Sequence, residues 1–138
     1  MINLIIGKKG SGKTKMLIDL VNEAVNTSRG NVVCIEKGDA LTYSLSHKAR
    51  LVDTENYGIS GYGELYSLIC GIAAGNHDVT HIFGDATLKL GGSVEGLTDF
   101  INRVSAVAED SNINFVFTIS CDEADIPKEV FEVAKKCN

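Results

Sequence analysis

Arginine is scarce in this chain. Arg29, Arg50 and Arg103 are the only three, and lysine plus arginine (13) fall short of aspartate plus glutamate (18). A net charge of −5 and a pI near 5.1 argue against holding nucleic acid by bulk charge, while leaving room for a small local basic site. The four cysteines (Cys34, Cys70, Cys121, Cys137) include no CxxC pair, which argues against a zinc site and a disulfide frame. Their apolar surroundings suggest buried thiols in a reducing cytoplasm. His47, His77 and His81 form no cluster suited to a metal. No apolar run approaches a membrane span, and the N-terminus lacks the basic start and cleavage site of a signal peptide. Low-complexity tracts, linkers and repeats are also missing. The expectation is one cytoplasmic domain over residues 1–138, long enough to bury a core.

What is present is alternation. Apolar runs at 1–6, 31–36, 79–83 and 114–120 have the character of strands buried on both faces. Between them, apolar residues recur at helical spacing: Leu17, Leu20, Val21, Ala24 and Val25; then Leu65, Leu68, Ile69 and Ile72; then Leu97, Phe100, Ile101, Val104 and Ala108. Residues 49–52 suggest a short extra strand, and Ser93 is a candidate N-cap for the third helix. Pro127 near a first turn predicts a last helix with Val130, Phe131 and Ala134, closed by Lys135 and Lys136. Strands alternating with helices predict an α/β three-layer sandwich: a mainly parallel sheet with helices on both faces.

The first strand runs into Gly7-Lys8-Lys9-Gly10-Ser11-Gly12-Lys13-Thr14, a full match to GxxxxGK[ST], and a helix follows. Glycines let successive backbone N–H groups converge on phosphate oxygens. Lys13 is placed to reach the β- and γ-phosphates, and the Thr14 hydroxyl to hold Mg²⁺. The helix N-terminus adds its dipole. The segment resembles the Walker A loop of the P-loop NTPases, which implies binding of ATP or another nucleoside triphosphate with Mg²⁺.

Such a site ordinarily has a second acidic residue at a neighbouring strand tip. Asp85, after His81-Ile82-Phe83-Gly84, competes with Asp122, which opens Asp122-Glu123-Ala124-Asp125. That string reads DEAD, but DEAD-box helicases are tandem pairs of core domains and this chain supplies one. With Asp85 chosen, the chain order is similar to the RecA-like branch, in which the fourth strand lies between the loop strand and the acidic one, a sheet order of 1-4-3-2. The resemblance implies Lys13 and Asp85 as catalytic residues and Thr14 and Asp85 as metal ligands. In that branch a glutamate usually follows the aspartate to activate water; here Ala86 stands instead. Hydrolysis is then expected to be slow unless Glu36, Asp122 or a partner residue substitutes.

Other branches match less. Guanine-specifying NKxD, an LSGGQ-like signature and an arginine-bearing lid are all missing. Lys8 matches the signature lysine of the MinD/ParA loop, but Lys9 replaces its glycine. The layout is similar to type II thymidine kinases, with Lys37 and Asp85 at matching places, yet the Asp-Glu pair and four-cysteine lasso of that family are not found. Small stand-alone proteins labelled twitching-motility ATPases are also similar, through the loop alone.

The stretch Asn56–Tyr66, with Tyr57, Tyr62 and Tyr66 among glycines, reads either as a mobile aromatic loop for a base or acceptor or as a hinged connection packed on the sheet edge. Arg50 reads as an arginine finger or a solvated residue before a strand. Three functions stand open: a Mg²⁺-dependent ATP-binding protein with weak or partner-stimulated ATPase activity; a small-molecule kinase with Asp53 or Glu36 as base; and a non-catalytic regulatory module read by a protein partner or within a homo-oligomer.

Overall fold

The computed structural model describes all residues, 1–138. Six strands form one sheet, β1 (Ile2–Ile6), β2 (Asn31–Glu36), β3 (Arg50–Asp53), β4 (Val79–Gly84), β5 (Asn114–Ile119) and β6 (Lys135–Lys136). The helices are α1 (Lys13–Thr27), α2 (Tyr62–Gly75), α3 (Thr87–Gly91) and α4 (Leu97–Ser111). Every strand pair is parallel, and the order is β3-β2-β4-β5-β1-β6. The central run β2-β4-β5-β1 corresponds to the expected 1-4-3-2 order read from its other end. At one edge β3 is the short extra strand expected at 49–52; the sheet differs in a sixth strand, β6, added at the other edge.

The apolar runs become strands because alternate residues serve two cores. Leu4, Ile6, Val33, Ile35, Ile82, Phe115, Phe117 and Ile119 face one core with α2 and α4. Ile5, Val32, Cys34, Phe83 and Val116 face the other, beneath α1 and the segment carrying Leu41 and Leu45. Helices therefore cover both faces. Leu17, Val21 and Ala24 bury one stripe of α1, and burying each leucine or valine contributes about 1.5–3 kcal/mol. No helix is long and apolar enough to cross a membrane.

Four local expectations are corrected. The last helix is a 3-10 turn over Lys128–Glu132. After it, Lys135 and Lys136 pair with Asn3 and Leu4 as a sheet edge instead of closing a helix. The open side of β1 captures this backbone, and lysines suit an edge strand. Ser93 does not cap α4, which starts after Gly96 with φ of 84°, and the Ser93 carbonyl accepts from the Tyr62 hydroxyl. Finally, only Cys34 is buried; Cys70 and Cys121 are half-buried and Cys137 is exposed.

Because all strands run in one direction, their C-terminal ends share one edge. Loop 7–12 follows β1, Asp85 follows β4, Ser120 follows β5, and Glu36 and Asp53 end β2 and β3. Ligand crevices of open α/β sheets form outside such an edge.

Candidate functional site

The loop between β1 and α1 turns through Gly10 and Gly12, with φ of 86° and 85°. A side chain at either would be strained, so glycine is what allows the turn. Gly7 N–H stays in the ladder, donating to Ile119 O at 3.2 Å, and Ser11 N–H closes a turn onto Lys8 O at 3.1 Å. Lys13 is only 8% exposed. Its ammonium bends back over the loop, donating to Lys8 O at 2.9 Å and lying 3.5 Å from Ser11 Oγ. A buried cation held only by one carbonyl and a long hydroxyl contact is available to an anion entering the loop.

Lys9, Gly10, Gly12, Lys13 and Thr14 line a cavity of about 270 Å³. Asp85, Ala86 and Ser120 close its other wall. Of the two carboxylates competing from the sequence, Asp85 lies in this cavity. Asp122 caps the 3-10 turn Glu123–Asp125 through Ala124 N–H and pairs with Lys8 at 3.9 Å. That contact joins two largely exposed side chains and is worth little. Gly7, Lys8 and Ser11 shape the loop without lining the cavity.

Thr118 was missed in the sequence. It sits in β5, 1% exposed, the one polar side chain in the apolar run Phe115–Ile119. Its hydroxyl donates to Asp85 Oδ1 at 2.7 Å and accepts from Ala86 N–H at 2.7 Å. Ala86 is held at φ 53° and ψ 50°, a left-handed conformation. Asp85 Oδ2 takes part in no hydrogen bond. The signal that could have found Thr118 is a hydroxyl amid residues that otherwise bury only hydrocarbon.

Glu36 is 5% exposed at the tip of β2, beside β4. It accepts from Leu41 N–H at 3.2 Å. Burial pushes its carboxyl above the usual range; the Leu41 N–H opposes this, and the charges of Asp85, Asp53 and Asp39 add to it. The Cys34 thiol is pushed up to about 12, first by burial and then by Asp85 and Glu36, so it is inert as a nucleophile.

Asn138 was also missed. Its amide donates to Ile6 O at 2.7 Å and its Oδ1 accepts from Ile6 N–H at 2.9 Å, prolonging the β6 ladder to the residue before Gly7.

The remaining candidates lie elsewhere. Tyr62 packs on Phe100 with centroids 5.1 Å apart, and Tyr66 lies under Arg103 at 4.2 Å. Of the three tyrosines in that stretch, only Tyr57 presents a largely free ring. Asp53 Oδ1 accepts from Gly38 N–H at 2.8 Å and Glu55 N–H at 2.9 Å, the task of a turn cap. Arg50 opens β3, at the end of the strand away from the loop. No protein-family model matches the chain, and no curated protein matches it.

Proposed function

We propose that this chain is a Mg²⁺-dependent nucleoside triphosphate-binding protein of the RecA-like P-loop class, with weak or partner-stimulated ATPase activity. The observation that carries the reading is the shared cavity: a loop turned by two left-handed glycines, a nearly buried Lys13, Thr14, and a carboxylate from β4. The sheet order supports it, since β5 separates the loop strand from the strand bearing Asp85.

In this account the backbone of Gly7–Thr14 cradles the phosphates and Lys13 exchanges its carbonyl partner for phosphate oxygen. No three His, Cys, Asp or Glu side chains gather at one point, while Thr14 and Asp85 face one cavity. One carboxylate and one hydroxyl, completed by phosphate oxygens and water, suit Mg²⁺. Thr14 and Asp85 would hold the ion, whose chemistry is to neutralise phosphate charge.

Water activation is the weak point. Ala86 offers no carboxylate, and its N–H is committed to Thr118. Glu36, buried at the tip of the adjacent strand β2, is the base candidate on the same sheet edge. It does not line the cavity, so turnover would need it to reach in or a partner residue to act. A nucleotide-dependent regulatory module without useful turnover is the second reading, favoured by the alanine at position 86. Kinase activity draws less support, because Asp53 and two of the three tyrosines are engaged in packing and capping.

Calorimetric titration of wild type and Lys13→Ala with MgATP tests the proposal. The variant should stay folded and lose the triphosphate; tight binding retained by it would contradict the assignment.

A further inference from the structure

A second cavity, of about 510 Å³, lies between α2 and the β2–β3 edge, where the strands begin. It is remote from the loop and within the size range of small-molecule sites. Leu68 and Ile72 of α2 form one wall, and Val33, Val52 and Val79 form the other. Leu68 and Ile72 pack on the core yet remain only partly buried.

Gly71 and Gly75 of α2 also face this space. A Cβ at either would meet no atom within 4 Å, and neither has positive φ. Nothing within the chain requires glycine there, and glycine weakens a helix relative to alanine. Their effect is to keep the groove open.

Lys48 and Arg50 stand at the mouth, both exposed and neither in an ion pair. Asp39 and Asp53 line the adjoining cavity, which Arg50 shares, but neither comes within ion-pair distance of it. In a chain of net charge −5, two unpaired cations beside an apolar wall fit an apolar body with one anionic group.

We infer that this groove binds a small amphiphilic carboxylate, its apolar body between α2 and the β2–β3 edge and its carboxylate at Lys48 and Arg50. The inference stands independently of nucleotide binding. The test is parallel titration of the full chain with octanoate and octan-1-ol, followed by calorimetry and amide NMR shifts.

Octanoate should saturate with shifts at Gly71, Ile72 and Arg50, and octan-1-ol should bind about tenfold more weakly, the scale of a lost charge-assisted hydrogen bond. The double variant Lys48→Glu, Arg50→Glu should lose octanoate by a similar factor. Gly71→Leu, which places its side chain in open space, should stay folded and lose both ligands, whereas Lys13→Ala should bind octanoate normally. No saturable octanoate binding, or equal binding of the two ligands insensitive to Lys48 and Arg50, overturns the inference. A dimer that Gly71→Leu dissociates would assign the groove to a second copy and overturn it equally.

Discussion

Thr118 Oγ1 bridges Asp85 Oδ1 and the Ala86 N–H, with both hydrogen bonds at 2.7 Å. One hydroxyl from β5 thus fixes the carboxylate proposed to meet Mg²⁺ and stabilises the left-handed turn that follows it. Thr118→Val keeps the shape and removes both bonds. Leaving the Ala86 N–H without its partner should cost about 1–3 kcal/mol in urea unfolding. MgATP affinity should fall while Mg²⁺-free affinity holds. Thr118→Ser should restore both, and unchanged MgATP binding in the valine variant would remove the positioning role.

Asp85→Asn should weaken nucleotide binding only when Mg²⁺ is present, because the lost charge acts through the cation. Asp122→Asn should leave both titrations unchanged, since Asp122 lies outside the cavity and meets only Lys8 and its own turn. The reverse pattern would show that the string at 122–125 carries the metal.

Gly84 precedes Asp85, and a Cβ there would stand 2.7 Å from Phe117 Cδ1. Phe117 is wedged against Phe100 and Phe115, with centroids 5.6 and 5.9 Å away. Gly84→Ala should therefore destabilise the fold by about 1–3 kcal/mol through overpacking. Chemical denaturation measures it, and a neutral result would mean that the ring yields freely.

Glu36 sets a pH dependence. Its folded-state pKa lies above the unfolded value, so the native state keeps the proton to higher pH than the unfolded chain does. Its contribution to stability is full below the ordinary glutamate value of about 4.3 and is lost as pH rises through the raised one. Glu36→Gln, still able to accept from Leu41 N–H, should flatten that decline in urea unfolding measured from acid to neutral pH. It should also abolish residual ATP turnover while sparing ATP binding. Turnover at the wild-type rate would exclude Glu36 as base.

The legible parts of the chain were those where one local pattern has one physical solution. The run Ile2–Ile6, the glycine loop and the stripe Leu17, Val21, Ala24 fix strand, turn and helix without help from elsewhere. Residues 128–136 lacked that property. Val130, Phe131 and Ala134 fit a helix, but a 3-10 turn buries Val130 and Ala134 equally well. The outcome depends on the free edge of β1, where Cys137 N–H reaches Leu4 O. Thr118 and Asn138 escaped for the same reason, since their partners are 32 and 132 residues away. The start of α4 turned on Gly96 adopting a left-handed conformation, which a serine three residues earlier concealed.

The most direct measurement is calorimetric titration of the purified chain with ATP, with and without Mg²⁺, followed by ADP release from the same sample. Saturable binding of one nucleotide per chain, strengthened by Mg²⁺ and accompanied by little ADP, is the predicted result. No heat of binding under either condition would contradict the account, leaving loop 7–14 a glycine turn with a buried lysine.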